Sequence, residues 1–242
     1  MNSTLFLVTQ VGFIASTLFF FSIVISQLSK ALVKSKFEVK RQRKIITKVI
    51  FILLIWMVVL SGLALSGFFS DFNSMPPRFV IIVIIPLITL TWALLFSATT
   101  KEILMHVPGQ TIISLQVFRV VVEILLWLLF IQNLLPVQMT FEGRNFDILA
   151  GISAPVVAYF GVARNQWPRI VLIVWNVLSL ALLINIVTIA ILSFPTPFRY
   201  FMNEPTNTIV ATFPFVWLPG FLVPLAYGLH FLSLRQLIAI KI

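Results

Sequence analysis

The sequence predicts an all-α, polytopic integral membrane protein of seven transmembrane helices, with its N-terminus outside and its C-terminus cytoplasmic. Three observations carry that prediction. Apolar residues make up 60% of the chain and charged residues 10%, against roughly half and a quarter in soluble domains. A soluble fold of 242 residues could not hide so much apolar surface. The apolar residues also gather into seven runs, most of them near the ~20 residues that a spanning helix needs. Finally, the basic residues concentrate in one short stretch holding Lys30, Lys34, Lys36, Lys40, Arg41, Arg43, Lys44 and Lys48. That is the positive-inside pattern.

With this stretch cytoplasmic, Lys101, Arg164, Arg169, Arg235 and Lys241 also fall inside, while Asp71, Arg78, Glu142, Arg144, Asp147, Arg199 and Glu204 fall outside. The loops therefore agree on one orientation. The formal charge of +10 comes from topology signals, so no nucleic-acid partner is expected. The expected partners are the lipid bilayer, anionic headgroups along Lys30–Lys48, and a second protein. The expected location is a bacterial inner membrane.

The first run, Leu5–Leu28, is uncharged. It is too long for a secretory h-region and has no basic segment before it, so it reads as a retained helix. Its scattered hydroxyls, such as Ser16 and Ser22, read as packing groups. The basic stretch alternates apolar and cationic residues and is expected to continue both flanking helices along the headgroups. The second run, Val49–Ser70, carries Gly62 and Ser66, a small-xxx-small pair suited to close helix approach. The third, Val80–Ser97, is interrupted by Pro86, which removes a backbone hydrogen bond.

The fourth run, Ser114–Leu135, holds the charges. Gln116, Arg119, Glu123 and Trp127 recur at spacings of three, four and four, which places them on one helical face. Intramembrane charges are costly and mark a site or pathway. Arg119 and Glu123 are one turn apart and within reach of each other, and Glu123 falls near the bilayer centre. Three readings follow: a functional pair, a structural ion pair joining helices, or an Arg119 that snorkels to the inner interface.

A charged cluster comes next. Glu142, Arg144, Asn145 and Asp147 are expected to form an outer mouth above Glu123, with Gly143 supplying unusual backbone angles. Asp147 is equally suited to cap the following helix. That fifth run, Ile148–Val162, spans only about 24 Å at the helical rise. It carries an Ala150, Ala154, Ala158 ridge and a mid-run Pro155, and such a shortened, proline-broken helix points to a transporter-type binding site.

The sixth run, Ile170–Ser193, presents Trp175, Asn176, Ser179 and Asn185, of which Asn185 is expected to lie deep and to bond across helices. The seventh, Ile209–Leu232, contains Pro214, Pro219 and Pro224 beside Gly220. Prolines free carbonyls that must bond elsewhere or line a cavity. Tyr227 and His230 face the same side near its cytoplasmic end, and His230 is that helix's group with an ordinary pKa near neutrality.

Residues 1–242 read as one domain, since the connections are too short for another. With no cysteine, thiolate metal sites, iron–sulfur clusters and cysteine nucleophiles are excluded. Two histidines cannot ligate a haem pair, and the seventh run lacks a lysine for a retinal Schiff base. No metal site and no complete nucleophile–base set stands out, which argues against an enzyme. The expected function is binding or passage of a small solute or proton at Arg119 and Glu123, with Gln116, Trp127, Asn185, Tyr227 and His230 around it. The alternative is a non-transporting sensory or scaffold subunit that binds a partner through its helix faces and basic stretch.

Overall fold

In a computed structural model, residues 3–74 and 78–239 are described. Lys241 and residues 75–77 of the first outer turn lie outside them. Every described element is helical. The order is α1 (Ser3–Lys34), α2 (Val39–Leu65), α3 (Arg78–Phe96) and α4 (Ala98–Leu104), then α5 (Gly109–Phe130), α6 (Ile148–Ala163), α7 (Arg169–Leu192) and α8 (Leu218–Ile238). Five of these, α1, α2, α5, α7 and α8, are long and apolar enough to cross a membrane. The other two expected spans differ. α3 and α4 are bent by 73° at a break after Phe96, and α6 is shorter than the rest.

Helix boundaries follow local chemistry. The basic stretch is almost entirely helical, because α1 runs on to Lys34 and α2 begins at Val39. Hydroxyls in α1 bond their own helix, Thr9 to the Leu5 carbonyl and Ser22 to that of Phe19. α5 stops before Leu135 because Asn133 takes a left-handed conformation (φ 58°). The Leu134 N–H then reaches the Leu129 carbonyl and the Asn133 N–H that of Phe130, a Schellman closure with asparagine at the turn. The seventh run becomes helical at Leu218, not at Ile209. Residues 209–217 form a short 3-10 turn and bends that bury Val210, Phe215 and Val216, since a proline at 214 disfavours helix just before it.

α5 and α8 are the two most enclosed helices. α8 packs against α3, α5 and α7, and α5 packs against α1, α6 and α8. α2 sits at the edge on α1, with few of its apolar side chains buried, as a lipid-facing helix requires. The close approach of α1 to α5 is set at Gly12, where a Cβ would come within 2.7 Å of Leu125. Among the described residues nothing comes within 4 Å of a Cβ at Gly62, so the expected small-residue contact of α2 is not made by them. The alanine ridge of α6, by contrast, is buried at all three positions.

The freed carbonyls of α8 find partners. Pro224 cannot donate to the carbonyl of Gly220, four residues earlier, and the Trp56 indole N–H donates to it instead at 2.8 Å. The helix is wound in π geometry over Leu218–Leu222, a rare form that occurs mostly as single turns within α-helices. At the other end, Arg235 donates to the carbonyls of Leu94 and Ser97, and Gln236 to those of Leu104 and Val107. α8 thereby satisfies the orphan carbonyls at the α3–α4 bend and at the turn into α5.

Candidate functional site

The polar face of α5 enters the middle of the bundle. Arg119 is 2% exposed, and all three of its nitrogens donate. Nε donates to Asp147 Oδ2 at 2.6 Å, and Nη2 donates to Asp147 Oδ1. Nη2 also reaches the Ser179 carbonyl at 3.3 Å, and Nη1 donates to His230 Nε2 at 3.0 Å.

The carboxylate partner of Arg119 is thus Asp147 and not Glu123, its expected partner one turn along α5. The reason is geometric. A guanidinium binds a carboxylate best as a two-pronged fork, and the segment after α5 folds back into the bundle to present Asp147 for that fork. Asp147 precedes α6 but makes no side-chain cap, so its capping role is also replaced by the ion pair.

The returning segment depends on Gly143. Its N–H donates to the Thr140 carbonyl, as does that of Asn145. A Cβ at 143 would lie 2.3 Å from the Val137 carbonyl oxygen. Close backbone approach, and not a left-handed φ, demands glycine here. The turn buries Asn145 completely. Asn145 Nδ2 donates to both Glu123 oxygens, at 2.7 and 2.6 Å, and to the Met139 carbonyl at 3.0 Å. Its Oδ1 accepts from the Asp147 N–H at 3.0 Å. One asparagine therefore ties the two acidic residues together.

Beyond Arg119 the polar string continues. Arginine has only donors, so His230 Nε2 accepts, and Nδ1–H donates to Asn176 Oδ1 at 2.9 Å. Asn176 Nδ2 donates to Ser233 Oγ at 3.0 Å and to the Leu172 carbonyl at 2.8 Å. The Trp175 ring lies against His230, 5.5 Å between centroids. Asn176 and His230 are both fully buried. Glu123, Asn145, Asp147, Arg119, His230, Asn176 and Ser233 thus form one continuous buried string drawn from α5, the returning segment, α7 and α8.

The remaining predicted residues divide. Gln116 is buried beside the string and donates to the Ala226 carbonyl at 3.2 Å. Tyr227 is buried nearby and stacks on Phe231. Trp127, Glu142, Arg144 and Asn185 do not join. The Trp127 indole donates to Glu142 at 2.6 Å, and Arg144 lies over the Phe201 ring. Asn185 is exposed and not buried. It donates to the Arg144 carbonyl at 2.9 Å and so pins the returning segment to α7. These four form a rim around the segment, while Asn145 and Asp147 leave the expected mouth for the interior.

Sequence reasoning passed over Asn176 and Ser233 as site residues. A signal existed. Asn176–Ser179 and His230–Ser233 are each polar pairs three apart, on the faces that α7 and α8 bury, whereas Asn185 falls off that face.

Two cavities lie at opposite ends of α8. One, of about 160 Å³, runs between α3, α5, α7 and α8 and reaches Glu123 and Asp147. Its walls are mainly apolar, including Leu87, Val122, Leu126 and Leu183, and Asn207 also borders it. The other, of about 330 Å³, is bordered by Gly109, Asn165, Trp167, Arg169, Ser233 and Gln236. The buried string joins the two. It is not a simple proton wire, because a guanidinium does not give up its proton. A family model described as "Domain of unknown function (DUF8737)" matches residues 76–238, a range that takes in both cavities and the whole string. No curated protein and no solved structure matches the chain.

Proposed function

The chain belongs to the family of the domain of unknown function DUF8737, and from that premise we propose that it is a seven-span inner-membrane protein that binds or passes a small solute or proton at Glu123. The bent α3–α4 pair and the short α6 count as the sixth and seventh spans. Arg119 acts as the fixed counter-ion of Asp147, and Glu123 as the carboxylate that meets the ligand. The observation carrying this reading is the cavity that ends on Glu123 and connects through the buried string to a second cavity at the far end of α8. Passage would require the Arg119–Asp147 fork to open, since the fork closes the route between the two.

A different reading draws on the same fork. Arg119, His230 and Asn176 are all enclosed by packed side chains, as in a structural pair that only holds helices together. The chain would then be a sensory or scaffold subunit. A hydrophobic carbodiimide separates the two readings in intact membranes. Under the solute reading it modifies Glu123, detected on the peptide by mass spectrometry, and Glu123→Gln removes that adduct. If Glu142 and Glu204 are modified and Glu123 is not, the cavity is closed to small molecules and the scaffold reading takes its place.

The topology has its own test. In this cysteine-free chain, single cysteines at Lys40 and Glu204, both exposed, are expected to separate cleanly. An impermeant maleimide applied to intact cells should label residue 204 and spare residue 40. Labelling of residue 40 alone reverses the orientation.

A further inference from the structure

We propose that the larger cavity, at the end of α8 that carries Ser233 and Gln236, seats the headgroup of a membrane phospholipid, a singly charged phosphodiester bearing hydroxyl groups. The site is separate from Glu123 and does not depend on the reading given to that residue.

Charge is the first argument. Arg169 borders this cavity, and none of the seven acidic residues does. Its guanidinium makes no ion pair and no hydrogen bond with any described residue. Arginine meets a phosphate as a fork of parallel donors. One cation without a counter-charge is complementary to one negative charge.

Hydrogen-bonding capacity narrows the ligand further. Ser233 is 3% exposed and borders the cavity. Its Oγ accepts from Asn176 at 3.0 Å, and its hydroxyl hydrogen has no acceptor among the described residues, so a donor is unspent. Gln236, one turn along the same helix, spends its Nε2 on the carbonyls of Leu104 and Val107, which fixes the amide orientation. Its Oε1 accepts from no described residue, and unlike the Asn207 oxygen it is not sealed off. Gly109 keeps the space beside that oxygen, since a Cβ there would come within 2.9 Å of it. A phosphate oxygen answers Arg169 and Ser233, and a hydroxyl of the headgroup answers Gln236. A bare carboxylate or sulfate would leave Gln236 without a donor.

Position points to a lipid as the source. Gln236 holds α4 at Leu104, and Glu102 of the same helix accepts from the Lys36 N–H at 3.1 Å. The cavity therefore lies at the end of the bundle that carries the basic stretch. Its Trp167 stacks on Phe160, and Arg164 donates to the Tyr159 hydroxyl, the kind of aromatic belt that sits at headgroup level. Phe160, Ile170 and Val171 beside it are exposed apolar residues, as neighbouring acyl chains require. Basic pockets between spans bind lipid headgroups at this level. A volume of about 330 Å³ is roughly twice that of the cavity that takes up benzene, room enough for a phosphodiester headgroup.

The test is native mass spectrometry of the purified full chain in detergent, titrated with three lipids of equal acyl length. Dioctanoyl phosphatidylglycerol has the charge and the hydroxyls, phosphatidylmethanol has the charge alone, and phosphatidylcholine has neither net charge nor a donor. Phosphatidylglycerol is expected to bind at least fivefold more tightly than phosphatidylcholine, with phosphatidylmethanol between them. Arg169→Gln, a change at an exposed side chain without partners, should reduce phosphatidylglycerol to the level of phosphatidylcholine. Arg164→Gln, which removes a nearby cation outside the cavity, should leave the preference in place. Equal binding of the three lipids overturns the proposal, as does a preference that survives Arg169→Gln or is lost equally in Arg164→Gln. Free glycerol phosphate should show no binding at the same concentrations. If it binds as tightly as the lipid, the cavity takes a soluble phosphate and the lipid assignment fails.

Discussion

Asp147→Asn is expected to destabilise the protein by about 3–5 kcal/mol, the usual cost of leaving one member of a buried ion pair without its partner. Arg119→Gln should cost a similar amount. The two carboxylate oxygens and the guanidinium edge are matched donor for acceptor, and both residues are buried. Removing both charges together leaves nothing ionic stranded, so the double variant should recover much of the loss. Unfolding in detergent, followed by denaturant titration, measures all three.

Glu123→Gln supplies the contrast. The partner of Glu123 is a neutral amide, and glutamine retains one acceptor oxygen for it, so the expected cost is nearer the ~1–3 kcal/mol of an impaired buried hydrogen bond. If Glu123→Gln proved as damaging as Arg119→Gln while Asp147→Asn was silent, Arg119 would be paired within α5, as helical spacing alone suggests. Three variants melting like the parent would mean that Arg119 and its neighbours are hydrated at an interface.

Gly143→Ala is expected to be the second severe variant, at about 3 kcal/mol or more. Adding a methyl group to a packed site ordinarily costs about 1–3 kcal/mol through side-chain and backbone shifts. Here the obstruction is backbone: the added carbon would sit 2.3 Å from the Val137 oxygen and 2.7 Å from Gln138 Cα. No rotamer change relieves that. The turn must open, and Asn145 and Asp147 move with it, so Arg119 and Glu123 lose their partners at once. Gly62→Ala is the matched control. No atom of the described residues lies within 4 Å of its added carbon, and alanine is the better helix former by about 1 kcal/mol. It should be neutral or stabilising. Equal behaviour of the two variants would show that the turn tolerates a side chain, and the account of how Asp147 reaches Arg119 would fail.

Much of the site was legible along α5. The spacing of Gln116, Arg119 and Glu123 put them on one face, and the structure buries that face. His230 was visible as an ionisable group in an apolar helix, and it lies 3.0 Å from Arg119. The proline-rich start of the seventh run signalled freed carbonyls, of which Gly220 is one, held by Trp56 from a distant helix. Asn185 misled because depth along a helix says nothing about which way a side chain turns. It faces the rim, and Asn176 faces the string.

Composition and hydropathy by themselves determined that this chain is helical and apolar enough to live in lipid. The reason is that a backbone in hydrocarbon must satisfy its own hydrogen bonds, and the helix does so within each segment. Helical periodicity is local, so a polar stripe can be read from one segment alone. Only the tertiary structure decided which carboxylate Arg119 would hold. That choice rests on the turn at Gly143 bringing Asp147 across 28 residues of sequence separation, on Gly151 letting α6 approach the α5 backbone at Val120 to within 2.9 Å of an added carbon, and on the fork geometry that this proximity permits. Contacts between segments are set by how their surfaces fit in three dimensions, and no spacing within either segment encodes them.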